Sequence, residues 1–145
     1  NHCRDIEELG EQLRTVRDAL DRHAETLPER SIGPLSVNIS PTFSQEEFRE
    51  HLDLCRRHGV AIIVTSVGDP TVNAPLVQEY GMLHFHDATT LRFAEKAAAA
   101  GADGIVCIGA GGGGHAGMIS HLAFVPKVRE MFGVASGFSS GTIGK

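Results

Sequence analysis

Tryptophan is absent and aromatic residues make up only 6% of the 145 positions, while the net charge is -5. No block of Lys or Arg interrupts that balance, so neither nucleic acid nor an anionic membrane is the expected main partner. No apolar run approaches the roughly 18 residues that a bilayer span needs, and no signal-peptide pattern is visible. The three cysteines, Cys3, Cys55 and Cys107, lie far apart with no C-x-x-C spacing. That excludes a disulfide framework and a thiolate metal site, and makes the cytosol the expected compartment. What remains, with 41% hydrophobic and 21% charged residues, is the composition of one ordinary globular domain.

Glycine is what the chain does have, 17 in all, and it is concentrated in Gly109-Ala110-Gly111-Gly112-Gly113-Gly114-His115-Ala116-Gly117. The run follows the apolar stretch Gly104-Ile105-Val106-Cys107-Ile108. Glycine lets backbone approach a flat or anionic ligand closely, so the pairing reads as a strand ending in a cofactor-cradling loop with one titratable group, His115. Gly109, Gly111 and Gly114 fit G-x-G-x-x-G, but four consecutive glycines satisfy that pattern almost unavoidably. A P-loop would need Gly-Lys-Ser/Thr where His115-Ala116 stands. A flexible linker is disfavoured by the strand before the run and the apolar helix pattern after it.

The rest of the chain repeats one sentence: helix, glycine, strand. Ile6, Leu9, Leu13, Val16 and Leu20 recur at helical steps from Asp5 to about His23, and Leu35–Ile39 follows as a strand. Ser44-Gln45-Glu46-Glu47 is a capping box opening a helix that Gly59 ends. Val60–Thr65 is continuously apolar, as strands covered on both faces are. A loop at Asp69-Pro70 and a short helix running on to Tyr80, the strand Met82–His86, a helix from Thr89 or Thr90 to Ala100, the strand Gly104–Ile108, a helix over Leu122–Phe132 and a strand remnant at Val134–Gly137 complete the series. Such alternation specifies βαβ crossovers and a parallel sheet. Both a barrel and a doubly wound sheet satisfy it. About five strands and ends that look cut favour part of a (β/α)8 barrel, an incomplete single domain spanning residues 1–145.

Lined up by their strand ends, Ala102–Val106 with Gly113-Gly114-His115-Ala116-Gly117, together with Val37-Asn38-Ile39 and Gly133–Gly137, resemble the nitronate monooxygenase family, formerly the 2-nitropropane dioxygenases. The resemblance implies an FMN-dependent (β/α)8 barrel that oxidises nitronates, and nitroalkanes, with dioxygen. It makes His115 the catalytic base, a role that suits a neutral imidazole. It places Gly112, Gly113 and Gly114 against the isoalloxazine ring and Asn38 on a ring edge. Ser136 and Gly137 fall where the family binds the FMN phosphate through a helix N-terminus. There the chain departs from the family's usual Ala-Gly-Gly or Ala-Gly-Ala followed by Ile, since Ser136 and Phe138 occupy those places.

His84 and His86 project to one face of their strand. His86 is the expected polar lining of the site and His84 a core residue with its hydrogen bond satisfied; no metal is expected. His2, His23, His51 and His58 are expected to face solvent. Three other readings stay open: an enoyl-acyl-carrier-protein reductase of the same fold using flavin and NAD(P)H; a metal-dependent hydrolase built on His84 and His86, with His115 or His121 and a carboxylate from Asp87 or Asp69; and an inactive interaction module that kept the barrel and lost catalysis. Homo-oligomerisation is left undecided.

Overall fold

The computed structural model describes residues 5–112 and 116–132. Five helices, α1 (Ile6–Thr26), α2 (Gln45–Arg57), α3 (Pro70–Glu79), α4 (Leu91–Ala99) and α5 (His121–Phe132), alternate with four strands, β1 (Ser36–Asn38), β2 (Ile62–Thr65), β3 (Leu83–Ala88) and β4 (Gly104–Cys107). The fifth expected strand, Val134–Gly137, lies outside the described residues.

Local chemistry sets the boundaries. Asp5 accepts the Glu8 amide at 2.7 Å to open α1, and Ser44 and Glu47 form a reciprocal capping box on α2. Asp69 caps α3 with Pro70 in the first turn, and Thr90 accepts the Phe93 amide to cap α4. These satisfy amide donors that a helix start leaves without intrahelical partners. Gly59, Gly81 and Gly101, with φ of 67°, 76° and 87°, end α2, α3 and α4 in the left-handed region where a side chain is costly.

All four strands are parallel, in the spatial order β1-β2-β3-β4. A doubly wound sheet reverses its strand order and carries helices on both faces, whereas a barrel adds each strand beside the last and keeps its helices outside. The core here obeys the second rule. Ile63 packs with Leu52, Cys55 and Val77 from α2 and α3, and Ala88 and Ile105 pack with Ala94, Ala97, Phe124 and Val128 from α4 and α5. Register puts Ile63, Thr65, His84, His86, Ala88 and Ile105 on that one helix-covered face. Burial along β2 therefore alternates, with Ile62 and Val64 half-buried on the other face, instead of being complete on both faces as its unbroken apolar run suggests. This is the curved, one-sided sheet of a (β/α)8 barrel, its inner face carrying Asn38, Val64, Phe85, Asp87 and Val106.

Among the described residues no helix is long and apolar enough to cross a membrane. His51, expected in solvent, is 8% exposed. Its ring stacks on Phe43 at 4.5 Å and its Nδ1 meets the Glu47 carbonyl at 2.7 Å, which lets an imidazole sit against the apolar layer.

Candidate functional site

The strand C-termini, where parallel barrels bind ligands, carry a polar row on the inner face. Asn38 ends β1, Ser66 follows β2 directly, and Asp87 lies one residue from the end of β3. The Asn38 Nδ2 donates to Ser66 Oγ at 2.9 Å, and the Ser66 hydroxyl donates to Asp87 Oδ2 at 2.5 Å. Asn38 is exposed while Ser66 and Asp87 are half-buried. The row thus presents an amide and a carboxylate to open space, with the serine holding both in place. Beneath it Phe85 lies across Gly104, where a Cβ would come 2.7 Å from the ring, and this supplies a flat apolar floor.

The loop between Ser66 and α3 is strained. Val67 has φ 58°, the sole positive φ outside glycine among the described residues, a conformation strongly disfavoured for a β-branched residue. Its side chain is 61% exposed. Behind it, Asp69 pairs with Lys96 at 2.8 Å. That ammonium, with help from Thr71, holds the Asp69 carboxyl well below the usual carboxylate range.

After β4 the glycine-rich segment turns sharply. The Gly112 amide bonds the Gly109 carbonyl at 3.1 Å, leaving Ala110, Gly111 and Gly112 exposed with almost no side chain. Gly117 is buried on the return path, where a Cβ would collide with the Ile108 carbonyl and lie 3.1 Å from that of Thr89. Only glycine fits there. Gly113, Gly114, His115, Ser136 and Gly137 lie outside the described residues.

His86 does not line this mouth. It is 4% exposed on the helix-covered face, with Nδ1 2.7 Å from Thr65 Oγ1. His84, fully buried, reaches the same hydroxyl through Nε2 at 2.8 Å, and its Nδ1 has no partner, so its hydrogen bonding is only half satisfied. One hydroxyl proton cannot serve two acceptors, so at least one ring donates to Thr65, and the hydroxyl's own proton is used when it donates to the other. Because a buried orphan N–H is rarer than an orphan acceptor, the favoured arrangement is His84 Nε2–H to Thr65 and the Thr65 hydroxyl to His86 Nδ1. Burial pushes His84 down to about 4, assisted by the neighbouring His86. Burial lowers His86 as well, against the pull of Asp87 and Asp69. Both rings are neutral at pH 7. Among the described residues no three His, Cys, Asp or Glu side chains group as a metal site, and the His84–His86 pair proposed for a hydrolase turns away from the mouth.

Fold and mouth together define a parallel (β/α)8-type protein whose ligand side is the C-terminal edge of the sheet. No family model matches the chain. It is 30% identical over 139 residues to "Putative monooxygenase Rv1533" of Mycobacterium tuberculosis, covering 90% of this chain and 35% of that protein. Its fold is similar to FabK from Thermotoga maritima, with a TM-score of 0.58 and 24% identity over 79% of this chain and 36% of that one. It is also similar to nitroalkane oxidase from Streptomyces ansochromogenes, with a TM-score of 0.53 and 20% identity over 79% of this chain and 45% of that one. The chain thus spans about a third of the curated relative it matches. These likenesses bear out the resemblance to the nitronate monooxygenase family read from the strand ends.

Proposed function

We propose that this chain carries part of the site of an FMN-dependent oxidoreductase that oxidises nitronates, and nitroalkanes, with dioxygen. The observation that carries the reading is the Asn38–Ser66–Asp87 row on the inner face, facing the same edge as the turn Gly109–Gly112, whose one side chain is the Ala110 methyl. An isoalloxazine ring fits this donor set. Its pyrimidine edge alternates N–H and C=O groups, which a carboxylate and an amide complement, and its plane needs backbone without side chains beside it. Asn38 and Asp87 would hold the edge, with Gly112, Gly113 and Gly114 against the ring and Ser136 and Gly137 toward the phosphate. When bound, the flavin supplies a two-electron acceptor that is reoxidised by dioxygen. His115 is the proposed base that removes the carbon-bound proton of a neutral nitroalkane. The likeness to nitroalkane oxidase and to a protein named as a monooxygenase supports this choice.

The test compares two substrates on the FMN-loaded protein. A nitronate arrives deprotonated and needs no base, so His115→Asn is expected to slow nitroalkane oxidation by about 10²- to 10⁴-fold and nitronate oxidation much less. Equal losses on both would make His115 a ligand-positioning group. The likeness to FabK supports a second reading, the flavin- and NAD(P)H-dependent enoyl-acyl-carrier-protein reductase. NAD(P)H oxidation that requires an enoyl thioester, without nitronate turnover, would select it.

A further inference from the structure

His121 stands at the first position of α5, half-buried, and its ring is wedged under the glycine-rich turn. The Gly109 amide donates to His121 Nε2 at 3.0 Å. Beside that bond the Ala110 amide donates to the Ile119 carbonyl at 2.8 Å. The two bonds tie the departing chain, 109–110, to the returning chain, 119–121. Contact is as close as glycine allows: a Cβ on Gly109 would lie 2.9 Å from the His121 ring and 2.8 Å from the Ile119 carbonyl, and one on Gly111 would lie 3.5 Å from His121 Nδ1. The Gly109 amide is a buried donor with no side chain of its own to shield it. An unpaired amide there is costly, and glycine otherwise has the widest choice of backbone conformations.

We propose that His121 is a positioning residue, whose Nε2 lone pair fixes Gly109 and thereby the turn Gly109–Gly112 on which the flavin ring packs. The last clause rests on the flavin reading above; the hold on Gly109 does not. The bond uses the Nε2 lone pair, which leaves Nδ1 to carry the ring N–H. A ring without a lone pair at that place cannot do the work, and a side chain with an acceptor at the same reach can.

Two variants of the whole protein separate acceptor from bulk. His121→Phe keeps a flat ring and removes the acceptor, while His121→Gln restores an oxygen near the Nε2 position. The first readout, made without cofactor, is the hydrogen exchange of the Gly109 amide. It is expected to lose about tenfold or more of its protection in His121→Phe and to recover most of it in His121→Gln. The second is the FMN dissociation constant followed by flavin fluorescence, expected to rise about tenfold in His121→Phe and to return to within a few-fold of wild type in His121→Gln. Unchanged Gly109 protection in His121→Phe, or equal losses in both variants, would overturn the proposal. Wild-type protein that binds no FMN while the exchange results hold would instead overturn the flavin reading and leave His121 as the clasp of this turn.

Discussion

Replacing Thr65 by valine removes one hydroxyl and almost nothing else, so its effect isolates the buried polar junction between β2 and β3. The hydroxyl is fully buried and serves His84 Nε2 at 2.8 Å and His86 Nδ1 at 2.7 Å. Valine keeps the shape and opens no cavity, but leaves two buried ring nitrogens without partners, in addition to the His84 Nδ1 that already lacks one. At about 1–3 kcal/mol for each unsatisfied group, the expected loss is about 2–6 kcal/mol. Against total stabilities of about 5–15 kcal/mol that is a large fraction. It corresponds to a fall in Tm of roughly 4–24 °C at about 2–4 °C per kcal/mol. Thr65→Ser is the control, since it keeps the hydroxyl and deletes one methyl, for about 1 kcal/mol. Urea unfolding of both variants beside wild type measures the difference. Thr65→Val as stable as Thr65→Ser would refute the shared-hydroxyl description, because it would mean that the two imidazoles do not depend on that oxygen.

Three further outcomes follow from the same geometry. Because burial lowers His84 to about 4 from an ordinary 6.5, the unfolded chain binds a proton there more readily than the folded one. Stability should therefore be level above pH 6.5 and fall toward pH 4, by on the order of 3 kcal/mol from this group, and urea midpoints across that range should flatten in His84→Gln. Val67→Gly should raise stability by about 1 kcal/mol, since glycine adopts φ 58° without the left-handed penalty; a lower melting temperature would show that the side chain is covered in the whole protein. Asp87→Ala should weaken FMN binding by about tenfold or more while lowering stability by less than about 1 kcal/mol, because the half-buried carboxylate has few apolar contacts to lose; titration of flavin fluorescence beside a melting curve measures both.

The elements were legible because each is signalled locally. The capping box at Ser44 and Glu47 and the glycines closing three helices need no tertiary information to be recognised, whereas Asp69-Pro70, which reads as a loop, is the cap and first turn of α3. The choice between barrel and open sheet was less so, since it depends on strand order and on which sheet face the helices cover. His86 shows the same limit within one strand. Period-two alternation correctly groups His84 with His86, but it does not say which of the two faces looks into the mouth. Leu-His-Phe-His-Asp invites the assumption that the polar set faces the ligand, whereas the helix layer covers the histidines and leaves Leu83 and Asp87 on the inner face. The missing signal was Thr65, whose hydroxyl makes a buried imidazole pair tolerable. Ser66 escaped notice, and Asp87 entered only as a carboxylate for the metal reading, for the complementary reason: each is an ordinary strand-end polar residue until register places them side by side. His121 reads from sequence only as a possible third ligand of the metal reading, one residue before the helix expected over Leu122–Phe132.

Two polar systems therefore lie back to back across β2 and β3. Thr65, His84 and His86 form one beneath the helices, and Asn38, Ser66 and Asp87 form the other above the inner face. They meet in the covalent chain, because Thr65 precedes Ser66 and His86 precedes Asp87. A strand end is the place where backbone pairing stops and side chains must take over its orienting role. The buried system ties together the last pair between β2 and β3, Thr65 opposite His86, so that Ser66 leaves β2 in a fixed direction beside Asp87, which β4 still pairs through Val106. The costly interior groups, two neutral histidines with one ring nitrogen unpaired, thus stand directly behind the residues whose placement a ligand would read. An apolar core at positions 65, 84 and 86 would hold the strands together as well, but it would lack the directional bonds that set the direction of Ser66 against Asp87.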